Sequence, residues 1–216
     1  ALTAGLEVYQ PEKIKNNTEA MEKLKSISPD FFAVAAYGKI LPQEVLDIPK
    51  IAPVNVHFSL LPKYRGPAPV NWAIMNGEEE TGVDTMLMDA GMDTGDILLT
   101  AKTPILKKNA GELADELAVT GAELLIKTLN EFESITPIKQ DSDKATKAPM
   151  MNKEMGLINW SQDAFQIERM IRAFTPWPAS YSMLDNKKIK IFKSDVAEIN
   201  HNAAAGTIID VDKDSI

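Results

Sequence analysis

The chain has 216 residues, 44% hydrophobic and 25% charged, a balance that supports a packed core and excludes a disordered chain. Its net charge of -8 argues against a protein that coats nucleic acid through a globally basic surface. It contains no cysteine, which excludes disulfides, thiolate metal sites and a cysteine nucleophile. No apolar run approaches the roughly 18 residues of a spanning helix, and the opening residues lack the order of a signal peptide. A cytoplasmic protein with no membrane partner is therefore expected.

In chain order, strand and helix signals alternate. VYQP reads as a strand end, TEAMEKLKSI has helical spacing, and DFFAVAAYG is a continuous apolar run of the kind found in a strand buried on both faces. A short helix in PQEVLDI leads to a second buried strand, APVNVHFS, then to the proline- and glycine-rich turn LLPKYRGPAP and a helix in NWAIMNG. VDTMLMD and ILLTAKTPI are strand signals on either side of the glycine turn AGMDTGD, and ELADELAVTGAELLIKTLNEF is a helix. This alternation predicts an α/β domain over residues 1–134 with a mostly parallel sheet. Residues 135–152 turn polar and lose apolar periodicity, as in a linker or a loop lying over the surface. A second, partial domain over residues 153–216 opens with an amphipathic helix, SQDAFQIERMIRAF, for which Ser161 is the expected N-cap. The strand signals YSML, KKIKIFKS and GTIIDVD follow.

Three polar residues stand out. In APVNVHFS the strand period of two places Asn55 and His57 on one face and Val54, Val56 and Phe58 on the other. An amide beside an imidazole is a poor filling for a dry core, and both lie near the carboxyl end of the strand, where open α/β sheets bind ligands. A satisfied structural histidine is the competing reading. His201, in a polar stretch, is expected on the surface. The turn MDAGMDTGD carries Asp89, Asp93 and Asp96, each of which could simply cap the turn. Pairing with His57 would give one of them a further role, because a carboxylate fixes the tautomer of an imidazole and favours its protonated form. The spacing does not fit a calcium loop, and no metal is expected. Lys187, Lys188, Lys190 and Lys193 form the best local basic patch, with Lys188 and Lys190 on one strand face, and a lysine-protected strand edge is the other reading.

The segments NVHFSLLPKYRGPAPVNWAIMNGEEETGV and MDAGMDTGDIL, taken in order, resemble the core of the folate-dependent formyltransferases. VAAYGKILP and INWSQDAFQIERMIRAFTPWPAS resemble the branch of that family acting on methionyl-tRNA. The resemblance implies a Rossmann-like formyltransferase domain followed by an oligonucleotide-binding-like β-barrel. It implies 10-formyltetrahydrofolate as formyl donor and initiator methionyl-tRNA as acceptor, with no metal. By motif position it implies Asn55, His57 and Asp93 as the catalytic trio and Ser59, Leu60, Leu61 and Pro62 as the folate-contacting loop, with Tyr64 and Arg65 in the adjoining turn. Phe58 stands where relatives often carry glycine or another small residue.

Family members open with a further strand, glycine turn and helix, so the sequence reads as lacking both ends. DFFAVAAY is then expected at an exposed sheet edge, and the complete protein is expected to be a monomer. In this scheme the Asn55 amide and a protonated His57 donate hydrogen bonds to the developing oxyanion, while Asp93 holds the imidazolium and handles the proton of the amine. The alternatives are a UDP-amino-sugar formyltransferase, a formyltetrahydrofolate hydrolase, or a folate- or RNA-binding module without catalysis.

Overall fold

A computed structural model describes residues 1–199 and 202–213. His201 lies outside the described residues. Helix α1 (Thr18–Ile27) leads into strand β1 (Phe31–Ala35), the short helix α2 (Gln43–Leu46) and strand β2 (Ala52–His57). Helix α3 (Pro69–Met75), strands β3 (Glu80–Leu87) and β4 (Ile97–Pro104) and the long helix α4 (Ala110–Asn130) complete the first part. Beyond the polar segment come α5 (Ala164–Phe174) and the hairpin β5 (Ser180–Leu184) and β6 (Lys187–Ile191).

The four strands form one sheet in the order β1-β2-β3-β4. Its α/β character is as expected, but the pairing is mixed: β1 and β2 run parallel, whereas β3 is antiparallel to both β2 and β4. The parallel expectation thus describes β1 and β2 only. The turn 88–96 between β3 and β4 is too short for the crossover of about a dozen residues that parallel neighbours require. Strand β1 also differs from the reading of DFFAVAAYG as buried on both faces. It pairs with β2 alone, and none of its residues is buried. VYQP, lacking a ladder partner, is not a strand.

One face of the sheet carries the main core. Val56 and Val83 pack with Leu113 and Leu117 of α4, and with Ile74 of α3 and Ile171 and Phe174 of α5, in one continuous cluster. Helix α5 therefore shares the core of the elements before the polar segment, so the change in composition at 135–152 is not a break in packing. Gly121 makes this closeness possible, since a Cβ there would stand 2.9 Å from Val56 Cγ1. Helix α4 is started by a reciprocal capping box between Asn109 and Glu112. Helix α5 is capped by Asp163, whose carboxylate accepts from the N–H groups of Phe165 and Gln166. Ser161 does not serve as the cap because its hydroxyl donates to Asn159 Oδ1.

In the carboxyl-terminal part, Asp185 and Asn186 hold the hairpin turn with φ of 48° and 62°, the paired left-handed geometry that matches strand twist. Among the described residues the β-structure here is this hairpin and a parallel bridge from Leu157 to Tyr181, part of the expected barrel domain. GTIIDVD forms no strand and is exposed.

Candidate active site

Strand β2 delivers His57 at its carboxyl end, with Asn55 on the same strand face, as their spacing predicts. Val56 and Phe58 turn to the opposite face, against α4. His57 is 6% exposed, and its Nε2 lies 3.0 Å from the Tyr64 carbonyl oxygen. A carbonyl can only accept, so Nε2 carries the proton and Nδ1 presents its lone pair in the neutral ring. Nδ1 faces Asp93 Oδ1 at 3.7 Å. Burial pushes His57 below the usual imidazole range, and the Asp93 carboxylate and the Tyr64 carbonyl pull it back only in part. Burial thus favours the neutral ring at rest, while the Asp93 carboxylate favours the protonated one. Among the described residues the Asn55 amide has no hydrogen-bond partner, which leaves both its donors available.

Of the three aspartates in the glycine turn, Asp93 alone reaches the histidine. Its backbone is left-handed, with φ 54°, and its Oδ2 accepts the Gly66 N–H at 2.7 Å. Gly66 itself has φ 123°, and a Cβ there would stand 2.7 Å from the Ala148 carbonyl oxygen, so only glycine brings this N–H to the carboxylate. Asp89 caps the turn, accepting from the Gly91 N–H at 3.0 Å and from the Thr94 hydroxyl at 2.6 Å. Asp96 contributes its backbone carbonyl to Leu87.

The loop Ser59 to Pro62 follows His57 directly. Ser59 is buried, and its hydroxyl donates to the Lys63 carbonyl at 2.7 Å. Leu61 is buried, and its N–H donates to Asp84 Oδ2 at 2.6 Å. Leu60 and Pro62 are half-buried. The loop is thus a braced wall whose shape Ser59 and Leu61 fix. Tyr64 extends the bracing with a hydroxyl that donates to Glu78 at 2.8 Å, and burial holds its phenol at about 12.

Two polar residues of this region escape the sequence reading. Asp84 is the antiparallel partner of His57 on β3 and is 1% exposed. It joins the Leu61 N–H to the Thr100 hydroxyl, and burial raises its carboxyl to about 6 against those two hydrogen bonds. Gln140 comes from the polar segment and is 7% exposed. Neither residue has a spacing signal. Among the described residues, no group of three potential metal ligands converges.

The mixed α/β sheet thus brings an imidazole and a carboxylate together at one strand end, with an amide on the same strand face. Residues 3–129 match the family model of the formyl transferases, and residues 150–216 match that of the formyl transferase C-terminal domain. The chain belongs to the formyl transferase family, a family of enzymes. Methionyl-tRNA formyltransferase from Clostridium novyi is 50% identical over 100% of this chain and 71% of its own length. Its counterpart from Caldanaerobacter subterraneus is 49% identical over 97% of this chain and 69% of its own. The fold is also that of a sugar N-formyltransferase from Shewanella, with a TM-score of 0.72, 19% identity and coverage of 92% of this chain and 80% of that one. Among the described residues no helix is long and apolar enough to cross a membrane.

Proposed function

We propose that the chain transfers the formyl group of 10-formyltetrahydrofolate to the amino group of methionyl initiator tRNA, in the cytoplasm, with Asn55, His57 and Asp93 performing the transfer. Relatives named for that activity are about half identical to the chain along its whole length, whereas the sugar N-formyltransferase is matched at 19%. The observation that carries the catalytic assignment is the orientation of His57, with Nε2 fixed on Tyr64 and Nδ1 turned to Asp93. Residues 1–134 are assigned to the catalytic domain, 135–152 to the linker and 153–216 to part of the second domain.

The half-buried apolar surfaces of Leu60 and Pro62, on a loop braced through Ser59 and Leu61, fit the flat ring of a folate. When bound, the donor supplies an activated formyl carbon. His57 Nδ1 takes the proton lost by the amine as its nitrogen bonds to that carbon. The Asp93 carboxylate stabilises the resulting imidazolium, and one Asn55 N–H donates to the formyl oxygen as it gains negative charge. The His57 proton then passes to the nitrogen that the formyl group leaves, so the ring ends neutral, as it began.

The test is incubation of the full chain with labelled formyl donor and methionyl-tRNA, a UDP-amino-sugar, or water alone. Label in the tRNA supports the proposal. Label in the sugar, label released as formate, or label staying in the donor in every arm overturns it in favour of one of the alternatives.

A further inference from the structure

Gln140 lies in the segment 135–152, outside both family-matched regions. Its Nε2 donates to the Asp93 carbonyl at 2.9 Å and to the Gly95 carbonyl at 2.7 Å. Its Oε1 accepts from Arg65 Nε at 3.0 Å and from Nη2 at 2.7 Å. Carbonyls only accept and a guanidinium only donates, so chemistry fixes which end of the amide points where, and all four positions of the amide are filled. The segment is itself held in register. Ile138 pairs with Ile97 through two backbone hydrogen bonds, and Tyr64 and Arg65 donate their N–H groups to Thr146.

We infer that Gln140 is a positioning residue that sets the place of the Asp93 carboxylate opposite His57. Asp93 sits in a left-handed conformation that a residue with a Cβ rarely adopts and that its surroundings must impose. Two of those surroundings are visible. The Gly66 N–H holds the carboxylate, and the Gln140 amide holds the turn by the carbonyls of Asp93 and Gly95. Arg65, next to Gly66 in sequence, is tied to the same amide, so one side chain links the turn that bears Asp93 to the turn that grips it. The polar segment thereby acts on the site as well as spanning between two regions.

The inference rests on the reading of Asp93 as a catalytic group, and the experiment separates the two. Gln140→Glu keeps an acceptor for Arg65, as a charge-assisted pair, but sets a carboxylate oxygen against two carbonyls, so it frees the turn while sparing the Arg65 contact. Gln140→Leu removes both. Single-turnover formylation by the full chain is measured across pH for each, alone and combined with Asp93→Asn, with thermal midpoints taken alongside.

Both Gln140 variants are expected to slow the chemical step by ~10-fold or more, the scale of a misplaced catalytic group, with the donor KM nearly unchanged. The acid limb of the profile should move to lower pH, because a displaced Asp93 no longer raises the His57 pKa. In the Asp93→Asn background the Gln140 substitutions should add little. If Asp93→Asn slows the reaction but Gln140→Glu, folded as judged by its midpoint, keeps the normal rate and acid limb, the role assigned to Gln140 is wrong. Additive losses with an unmoved limb would likewise make Gln140 a structural residue only. If Asp93→Asn itself leaves the rate unchanged, the catalytic reading of Asp93 fails first and the inference fails with it.

Discussion

The Asp84 carboxylate on β3 accepts the backbone N–H of Leu61 at 2.6 Å and so ties the loop that follows His57 to the neighbouring strand. The same carboxylate takes the Thr100 hydroxyl from β4, so one acidic side chain spans two strands and a loop. Burial makes ionisation costly, and its carboxyl is raised from 3.8 to about 6.

The sign of the consequence follows from linkage. Between pH 3.8 and about 6 the folded carboxyl holds a proton that the unfolded one has lost, so its contribution to stability is present below pH 3.8 and is lost as the pH rises through about 6. Asp84→Asn removes this loss while keeping an acceptor for Leu61. The variant is expected to be more stable than the parent at pH 8, by up to about 3 kcal/mol, and the advantage should shrink as the pH falls below 6. Asp84→Leu leaves the Leu61 N–H unsatisfied and should cost about 1 to 3 kcal/mol more than the asparagine variant. Denaturant melts of the three proteins at pH 5 and 8 check this. An asparagine variant no more stable than the parent at pH 8 would contradict it.

His57 gives a prediction with the opposite slope. Its folded pKa is depressed, so it supports stability above the ordinary imidazole value of 6.5, and this support is lost as the pH falls through the lower folded value. The neutral ring is also the form able to take the amine proton. The rate of the chemical step is therefore expected to hold level below pH 6.5 and to fall only at more acid pH. In Asp93→Asn, which removes the carboxylate that raises the pKa, the residual rate should fall at still lower pH. Proton titration of the His57 ring by NMR measures the same shift without turnover. A ring titrating above 6.5 would show that the carboxylate outweighs burial.

His57→Ala and Asp93→Asn should affect chemistry more than binding. Neither side chain lies on the Ser59 to Pro62 wall, and the work assigned to both concerns charge that develops during transfer. The single-turnover rate is expected to fall by roughly 100- to 10,000-fold, with donor affinity changed only a few-fold. Fluorescence titration with the donor beside quench-flow formylation separates the two quantities. Equal losses in both would assign these residues to docking.

What the sequence discloses about this site depends on how local the signal is. Asn55 and His57 are legible because a strand's period places i and i+2 on one face whatever the rest of the chain does. Asp93 is legible only as one of three turn aspartates, since the choice among them is made by the long-range Gly66 N–H and by the placing of His57. Gln140 is not legible at all. Its partners are backbone carbonyls 45 and 47 residues away, which leave no mark on composition or periodicity. Asp84 hides within a strand signal because an acid in a buried strand reads as an exception until its partners on Leu61 and Thr100 are known. The run DFFAVAAYG shows the converse failure, since apolar content reports strand tendency but not whether a strand has one neighbour or two.

The last prediction concerns the hairpin β5–β6. Lys187, Lys188 and Lys190 are exposed on β6, and Lys188 and Lys190 fall on one strand face. Lys188 Nζ lies 3.4 Å above the centre of the Tyr181 ring, which holds this cation in place on an otherwise acidic molecule. Two cations on one face, Lys188 fixed and Lys190 exposed beside it, could meet backbone phosphates of the tRNA, or they could guard an open strand edge against pairing. Salt distinguishes these roles. Each phosphate contact releases counterions, so losing two should flatten the dependence of log affinity on log salt by about 1.4 to 1.8. Lys188→Ala with Lys190→Ala is therefore expected to raise the KM for methionyl-tRNA at low salt and to narrow the gap from the parent as salt rises. The donor KM and the single-turnover rate at saturating tRNA should not change. Steady-state kinetics at several salt concentrations measure the slope. An unaltered slope, especially with greater aggregation of the variant, would identify the lysines as edge protection.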